Sequence, residues 1–494
     1  MSSPHDPPVP VPAGSGSFAD AEEFDLVGVG TGPFNLALAA LADRVDGLRT
    51  LFLDEKPTFS WHAGMLLDGA TLQVPFLADL VTLADPTSPW SYLAYLREHD
   101  RLFPFYFTER FHIPRREYDD YCRWVARSLP SCRASSRVDA LDWDAAAEVF
   151  RITYTDTATG RRHTVRGRDV VLGVGTSPVV PEALRPLLGT RVFHSAGYLA
   201  GRPSLEGLRD VTVVGSGQSG AEVLLDLLRT PPSPDTRLHW ITRAPAFAPM
   251  EYSKLGLEHF TPDYTAYFHG LPEQTRERLV PSQWQLYKAI SADTIAEIYD
   301  TLYDRAAASG GDAGATLHPN VEVRSAEQDP DGLRLECRHR EQDRVFTLGT
   351  DAVVLATGYA ARRPALLEPV ADLVDWDERG GYRVESDYRV RLRPDVAGRI
   401  YVQNAELHTH GVGAPDLGLG AHRAAMILNS LTGRTVYRLP RRTAFTTFGA
   451  PDQGVGAETG SADAAPDAPA PSPVPRTVPS PPRRPLPIAT GGHV

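Results

Sequence analysis

Two glycine-rich turns, 187 residues apart (215 minus 28), could each bind a phosphate group. The first has the pattern GxGxGP, formed by Gly28, Gly30, Gly32 and Pro33, and it follows an apolar, β-branched stretch. Glycine lets a pyrophosphate approach the backbone without a Cβ in the way. A periodic apolar helix is predicted directly after the turn, and its first N–H groups would point at the phosphates. This turn therefore predicts a dinucleotide site.

The second turn, GSGQSG, repeats the arrangement between an apolar strand and a periodic helix. Its candidate cofactor-binding residues are Gly215, Gly217, Gln218 and Ser219. Two complete strand–turn–helix units in one chain predict two separate dinucleotide sites.

The strand after each turn is followed by a charged residue, and the two charges are opposite. Asp54 lies 26 residues after Gly28 (54 minus 28), where a carboxylate binds ribose hydroxyls. Arg243 has the corresponding place after the second turn and suits the 2′-phosphate of NADPH. An Arg243 that only stacks on adenine or lies in solvent is the alternative. We predict FAD at the first site and NADPH at the second, with hydride passing from the nicotinamide to the flavin.

These units predict an α/β fold with two Rossmann-like domains, the second inserted into the first. Apolar strands that begin at Asp169 and Asp351 are predicted to carry the chain out of the first domain and back. The predicted boundaries are 22–205 for the first part of the FAD-binding domain, 206–352 for the NADPH-binding domain and 353–449 for the second FAD- and substrate-binding part. Residues 1–21 and 450–494 are rich in Pro and small residues, which predicts disordered tails.

The composition argues against several classes of protein. A net charge of -12 over 494 residues makes nucleic acid a poor partner. Cys122, Cys132 and Cys337 form no CxxC pair, which argues against a disulfide reductase and favours a reducing cytoplasm. We find no signal-peptide pattern and no apolar run of membrane-spanning length, so no membrane partner is expected. His408 and His410 could form a metal pair, but no further ligand completes it, and no metal site is predicted.

Four further stretches resemble one enzyme family. They are FSWHAGMLLDGATLQVPFLADLVTLADPTSPWSYLAYL at 59–96, ERFHIPRREYDDYCRWV at 109–125, ATGY at 356–359 and QNAELHTHGVGAPDLGLGAHR at 403–423. In this order they resemble the microbial N-hydroxylating flavin monooxygenases of the lysine N6-hydroxylase and ornithine N5-hydroxylase type. The resemblance implies that NADPH reduces FAD and that one oxygen atom of O2 is added to a small primary amine. It also implies a homo-oligomer.

The same resemblance implies residues close to the cofactors. Trp61, His62 and Gln73 fall in the stretch that lies near the flavin and NADP+ in the family. Gln73 is the candidate catalytic residue, because an amide can bridge the isoalloxazine and polar groups of the substrate. The alternatives are a core aromatic for Trp61 and a structural histidine for His62.

The choice of amine depends on departures from the family pattern. Ornithine enzymes pair the substrate carboxylate with a lysine where this chain has Ala78, and they carry an asparagine near the place of Leu257. The sequence therefore favours L-lysine, N-hydroxylated for a hydroxamate siderophore or a related metabolite, with cadaverine or putrescine as the alternative. The candidate substrate residues are Lys254 and Lys288 for the lysine carboxylate, Glu258 for the distal ammonium of a diamine, and Asn404.

Two other classes of protein are also considered. A Baeyer–Villiger or xenobiotic-oxidising flavin monooxygenase has related chemistry, but the WHAGM and ADPTSP segments argue against it. A non-catalytic nucleotide sensor would not need two complete dinucleotide sites. Bound FAD in the purified protein would distinguish the enzyme from the sensor.

Overall fold

The computed structural model describes residues 22–330 and 332–450. The strands of these residues are β1 (Glu23–Val29), β2 (Thr50–Leu53), β3 (Cys132–Arg133), β4 (Ser136–Asp144), β5 (Val149–Asp156), β6 (Arg162–Leu172), β7 (Ser177–Pro178), β8 (Val192–His194), β9 (Asp210–Val214), β10 (Arg237–Ile241), β11 (Ala315–His318), β12 (Val321–Asp329), β13 (Gly332–His339), β14 (Arg344–Thr350), β15 (Ala352–Leu355), β16 (Tyr359–Ala360) and β17 (Arg399–Val402).

Helices lie between many of these strands. They are α1 (Pro33–Ala42), α2 (Tyr92–Glu98), α3 (Leu102–Tyr106), α4 (Arg115–Ser128), α5 (Tyr198–Gly201), α6 (Gln218–Arg229), α7 (Pro262–His269), α8 (Glu273–Ser282), α9 (Trp284–Tyr287), α10 (Ala292–Ala308), α11 (Leu407–His410) and α12 (Gly420–Thr432). Short 3-10 turns also occur, at Ala63–Met65, Glu182–Leu187, Ser195–Gly197, Arg202–Leu205, Gly256–Phe260, Ala365–Leu373, Gly411–Gly413 and Leu417–Leu419.

The first sheet has the order β3-β2-β1-β6-β5-β4, and β17 also pairs with β6. Strands β1, β2 and the end of β6 are nearly continuous apolar stretches, as expected for parallel strands covered on both faces. β1 lies parallel to β2 and β6, whereas β4, β5 and β6 form antiparallel pairs. Helix α1 packs against α12, and its small apolar side chains are almost all buried. This sheet therefore positions the first glycine turn at the carboxyl end of β1.

The second sheet is entirely parallel and has the order β11-β10-β9-β15-β8. Helix α6 follows β9 and buries one face, which carries Val223, Leu224, Leu227 and Leu228. A separate antiparallel sheet of β12, β13 and β14 packs beside it. The predicted α/β fold, with one Rossmann-like domain inserted into another, is confirmed.

The two crossings between the domains run side by side as a short ribbon. β7 and β16 pair antiparallel, and the N–H of Val179 donates to the carbonyl oxygen of Gly358 at 2.9 Å. The second sheet includes β8, which begins before the predicted boundary at 206, and β15, which extends past the predicted boundary at 352. From these pairings we propose that the insert spans residues 179–358.

The predicted tails at 1–21 and 450–494 lie outside the described residues, apart from Ala450. Among the helices of the described residues, none combines the length and apolar character needed to cross a lipid bilayer.

Candidate functional site

The first glycine turn is held in shape by the side chain of Asn35. Asn35 Nδ2 donates to the carbonyl oxygens of Val29 at 3.1 Å and Gly30 at 2.8 Å, and Gln403 Nε2 donates to Asn35 Oδ1 at 2.7 Å. Gly30 has a φ of +86°, and a Cβ added there would lie 2.5 Å from the carbonyl oxygen of Gly173. Only glycine fits this position without moving the backbone.

The space beside this turn suits a pyrophosphate. Pro33 is the first residue of α1, and no side chain caps the helix, so its first N–H groups remain free. A Cβ added to Gly32 would meet nothing closer than 3.9 Å. At Gly28 a Cβ would lie 2.1 Å from Phe52 Cδ1, so this glycine serves the packing of β1 on β2. The turn therefore has the room and the donors that a dinucleotide needs.

Asp54 closes the other side of the first turn. Its Oδ2 accepts hydrogen bonds from the backbone N–H of Thr31 at 2.8 Å and the hydroxyl of Thr31 at 3.0 Å. Its Oδ1 accepts from the backbone N–H of Lys56 at 2.9 Å. A carboxylate has about four acceptor positions, so Asp54 retains capacity for a ribose hydroxyl.

The second glycine turn is also too tight for any other residue. Gly215 has a φ of +119°, and a Cβ there would lie 2.2 Å from the carbonyl oxygen of Ala356. A Cβ at Gly220 would lie 2.2 Å from the carbonyl oxygen of Gly215. Gly217 precedes α6, and again no side chain caps the helix. The geometry matches that of the first turn and fits a second dinucleotide.

The side chain of Gln218 forms hydrogen bonds with other groups of the protein. Its Nε2 donates to Glu222 Oε1 at 3.1 Å and to Thr294 Oγ1 at 3.0 Å, and its Oε1 accepts from the N–H of Ser291 at 2.8 Å. Gln218 thus attaches the start of α10 to the second turn, which leaves its backbone N–H for a ligand. Ser219 is half-buried in the first turn of α6.

Arg243 and Lys288 both lie beside the second turn. The carbonyl oxygen of Lys288 lies 3.2 Å from a Cβ built on Gly217. Partial burial and the charge of Arg243 lower the pKa of Lys288. The backbone of Lys288 therefore lies beside the second glycine turn, while the assignment of its side chain to the amine substrate stays a prediction.

A buried ion pair joins the two domains. Arg115 Nη2 on α4 lies 2.6 Å from Glu222 Oε1 on α6, and both side chains are about one-tenth exposed. Arg115 Nη1 also donates to the carbonyl oxygen of Met65 at 2.8 Å. Since Gln218 donates to the same glutamate, the insert is coupled to the segment that carries His62.

His62 lies in a recess between the domains, open to solvent but surrounded by protein. It has a left-handed φ of 51°, and its ring lies 5.8 Å from that of Tyr359 in the ribbon. Burial, followed by the charges of Arg115 and Lys56, lowers the pKa of His62 to about 4. Trp61 contacts the His62 ring at 4.6 Å, and its backbone N–H donates to Asp119 at 2.6 Å. These effects favour the neutral form of the His62 imidazole.

Gln73 and Ala78 each lie near a residue that the sequence analysis did not select, Tyr252 and Asp416 respectively. The hydroxyl of Tyr252 donates to Gln73 Oε1 at 3.4 Å. Burial and the charge of Asp416 raise the pKa of Tyr252 to about 12. A Cβ built on Gly418 would lie 2.7 Å from Asp416 Oδ1 and 3.9 Å from Ala78 Cβ. A carboxylate therefore lies close to the position where ornithine enzymes carry a lysine.

Among the described residues Asp416 forms no ion pair within 4 Å, although the charge of Arg423 acts on its carboxylate. Burial raises its pKa to about 6, while the backbone N–H groups of Gly418 and Leu419 act in the opposite direction. Asp416 was within reach of sequence analysis, because it lies in the stretch 403–423 that carries the family resemblance.

The other predicted substrate residues are Glu258, Lys254 and Asn404. Glu258 accepts hydrogen bonds from the backbone N–H groups of Phe445 at 2.9 Å and Thr446 at 2.8 Å, so its carboxylate anchors the C-terminal segment. Lys254 is exposed and makes no ion pair within the described part of the chain. Asn404 follows β17 in a left-handed conformation with a φ of 63°.

Replacing Glu258 by Gln should loosen the C-terminal segment and leave the Michaelis constant for the amine unchanged. The neutral amide accepts the two backbone N–H groups more weakly than the carboxylate does. Limited proteolysis should then cleave the 442–449 segment several-fold faster than in the wild type. Glu251→Gln, on the same stretch of chain, is the matched control. A raised Michaelis constant for the amine would instead indicate that Glu258 binds the substrate.

His408 and His410 have separate structural partners. His408 Nε2 lies 2.7 Å from the carbonyl oxygen of Tyr382, whereas the His410 ring stacks on Tyr388 at 4.4 Å. Burial lowers the pKa of His410 well below its usual range. Over the described ranges, 22–330 and 332–450, no three His, Cys, Asp or Glu side chains form a group that could hold a metal ion.

Two dinucleotide turns on separate sheets, joined by the buried Arg115–Glu222 ion pair, define a flavin-dependent oxidoreductase fold. The family described as L-lysine 6-monooxygenase/L-ornithine 5-monooxygenase matches residues 22–361. The chain belongs to this family and is a flavin-dependent N-hydroxylating monooxygenase. The predicted family resemblance is thereby confirmed.

Three similar proteins show how far the likeness extends. The rhizobactin siderophore biosynthesis protein RhbE of Rhizobium meliloti is 45% identical over 87% of this chain and 96% of its own length. The putrescine N-hydroxylase of Shewanella oneidensis is 42% identical over 87% of this chain and 85% of its own. The FAD-bound structure of a cadaverine monooxygenase of desferrioxamine biosynthesis, from Erwinia amylovora, has a TM-score of 0.84 and 41% identity, covering 87% of this chain and 99% of that one.

Proposed function

We propose that this enzyme N-hydroxylates one amine of a short aliphatic diamine, putrescine or cadaverine, for siderophore biosynthesis. FAD occupies the first glycine turn and NADPH the second. The observation that carries the proposal is the carboxylate of Asp416 beside Ala78. The end of a diamine that is far from the reacting amine carries an ammonium. The same end of lysine or ornithine carries a carboxylate and an α-amino group.

The negative charge of Asp416 near Ala78 discriminates between the candidate amines. An unpaired carboxylate attracts an ammonium and repels the carboxylate of an amino acid. Neither lysine that the sequence offered to an amino-acid substrate supports that role, because Lys288 lies at the second turn and Lys254 is exposed without an ion pair. The names of the similar putrescine and cadaverine enzymes support the same conclusion. L-lysine, which the sequence favours, is therefore the second candidate.

The reacting amine has to be neutral when it meets oxygen. A free alkyl ammonium has a pKa of about 10.4, so its deprotonation is unfavourable near neutral pH. Asp416 binds the far ammonium, and this keeps its negative charge away from the nitrogen that must lose a proton. Gln73 Oε1, which accepts a hydrogen bond from the Tyr252 hydroxyl, would also accept an N–H of the neutral amine and so orient its lone pair. Reduced FAD supplies the activated oxygen when it is bound.

Replacing Asp416 by Asn should abolish the preference for diamines. We expect the wild type to have a kcat/KM for cadaverine and putrescine more than tenfold above that for L-lysine. In Asp416→Asn the diamine values should fall by about 30- to 100-fold, as for the loss of a charged hydrogen bond of about 2–3 kcal/mol. The measurement is hydroxylamine formation by the FAD-loaded enzyme.

Pentylamine is the internal control, because it keeps the reach of cadaverine without the distal charge. Its turnover should be the same in the wild type and the variant. An equal loss with pentylamine would make Asp416 a structural residue and not a substrate partner. A wild type that prefers L-lysine would reject the diamine proposal itself.

A further inference from the structure

A segment of the first domain packs into the core of the insert. Met65 and Leu67 are 2% and 6% exposed and belong to the same apolar cluster as Leu224 on α6. Next to them the two backbones approach closely, since a Cβ added to Gly64 would lie 2.0 Å from the carbonyl oxygen of Ala196. Burial of apolar surface stabilises such an interface without itself preferring a direction. The orientation of the insert therefore has to come from polar contacts as well.

The buried pair of Arg115 and Glu222 supplies a directional contact at this interface. Arg115 Nη2 donates to Glu222 Oε1 at 2.6 Å, and Nη1 donates to Glu222 Oε2 at 2.9 Å. Nη1 also donates to the carbonyl oxygen of Met65 at 2.8 Å. Two parallel hydrogen bonds between a planar guanidinium and a carboxylate constrain orientation as well as distance. This fork therefore sets the angle at which α6 meets the first domain.

Each partner of the fork is attached to an element that leads to a ligand site. Arg115 is the first residue of α4, and its backbone N–H donates to the carbonyl oxygen of Ala70 at 2.9 Å, in the stretch that continues to Gln73. Glu222 lies one helical turn after Gln218, where α6 begins at the second glycine turn. The fork thus joins the start of the coenzyme helix to the stretch that resembles the flavin-facing part of the family.

Stability alone does not account for an ion pair in this place. Both side chains are about one-tenth exposed, and removing two charges from water costs free energy. Apolar side chains of similar volume would fill the same space without this cost, and they often stabilise a fold equally well. What apolar side chains lack is the fixed geometry of the fork.

We propose that Arg115 and Glu222 are positioning residues for flavin reduction, because their fork orients the insert so that NADPH meets FAD in a productive alignment. This step moves a hydride, with its two electrons, from NADPH to FAD, so NADPH becomes NADP+ and FAD becomes FADH−. A small rotation of the insert would lower the rate of this step without weakening the binding of the coenzyme. The proposal rests on the proposed placement of FAD and NADPH and is independent of the amine.

Stopped-flow reduction of the FAD-loaded enzyme by saturating NADPH, without oxygen and without amine, measures this step. Arg115→Lys keeps the charge and loses the fork, so the reduction rate should fall by about tenfold or more. Calorimetry should show an unchanged dissociation constant for NADP+. Hydrogen exchange at the backbone N–H groups of 63–72 should become faster, which reports the loosened interface without any turnover.

An apolar double variant separates orientation from stability. Arg115→Met/Glu222→Leu removes both buried charges and keeps the interface filled, so its resistance to urea should be close to that of the wild type. Its reduction rate should nevertheless stay as low as that of Arg115→Lys. A double variant that reduces FAD at the wild-type rate would show that the fork is not needed, and the proposal would be wrong.

Arg202→Lys is the matched control, because Arg202 Nε donates to Asp226 Oδ2 at 2.7 Å on the same helix α6 but inside the insert. Its reduction rate should equal that of the wild type. Equal slowing in Arg202→Lys would assign the effect to the stability of the insert and overturn the proposal. A weaker NADP+ affinity that explains the slowing in Arg115→Lys, or an unchanged rate in that variant, would also overturn it.

Discussion

Replacing Arg423 by Met should lower the free energy of unfolding by about 3–5 kcal/mol, because it leaves a buried carboxylate without its counter-charge. Arg423 and Glu406 are 1% and 0% exposed, and Arg423 Nη1 lies 2.9 Å from Glu406 Oε1. Arg423 Nη2 also donates to the carbonyl oxygens of Gly413 at 3.2 Å and Ala414 at 2.8 Å. The same substitution therefore releases the loop that carries Asp416.

Urea titration followed by flavin and tryptophan fluorescence measures this loss. The guanidinium of Arg423 also lies 4.6 Å from the ring centre of Phe34, at the start of α1, so FAD should dissociate at a lower urea concentration. The double variant Arg423→Met/Glu406→Gln removes both charges and should regain a large part of the stability. If the single and double variants are equally unstable, the ion pair is not the cause.

Alanine at Gly30 and at Gly215 should separate the two cofactor sites. Each added Cβ would meet a backbone carbonyl oxygen, at 2.5 Å from Gly173 and at 2.2 Å from Ala356, and each residue has a positive φ. Backbone strain of about 1–3 kcal/mol and overpacking of similar size together predict a loss of cofactor affinity of roughly a hundredfold or more.

The two variants should differ in their spectra. Gly30→Ala should purify without the yellow of bound FAD, whereas Gly215→Ala should stay yellow, be reduced by dithionite and fail to be reduced by NADPH. Gly47→Ala is the matched control, because Gly47 has a φ of +79° and no atom within 4 Å of an added Cβ. Loss of FAD from Gly215→Ala would show that the two sites do not fold independently.

The glycine turns were predictable because their chemistry is local. A strand, a tight turn and a helix lie within about 20 residues, so their pattern is visible without tertiary contacts. The limits of the insert were less visible. β8 has only three residues, and whether β15 belongs to one sheet or the other depends on pairing with strands far away in the chain.

The candidate amine site is formed by residues that are far apart in the chain, so no local sequence pattern predicts it. Asp416 and Ala78, 338 positions apart (416 minus 78), both lie near Gly418, and Glu258 is occupied by backbone groups near the end of the described chain. Lys288 was assigned to the substrate because its charge suited a carboxylate. In the structure its backbone carbonyl oxygen lies beside Gly217, in a loop that the Ser291–Gln218 hydrogen bond attaches to the turn. Charge alone thus identified candidate residues, whereas distant contacts in the fold set the neighbours of each.

The ribbon of β7 and β16 makes the insert exchangeable between relatives as one cassette. The chain enters and leaves it at adjacent points, where Val179 N–H meets Gly358 O. Adjacent ends are the condition under which a domain can be moved without disturbing its host. Such a cassette carries Arg243 and Lys288 with it and leaves Ala78 and Asp416 behind. Recombination at this ribbon could therefore combine the coenzyme preference of one relative with the amine preference of another. Tyr252, in the insert, would then meet Gln73 of the other relative.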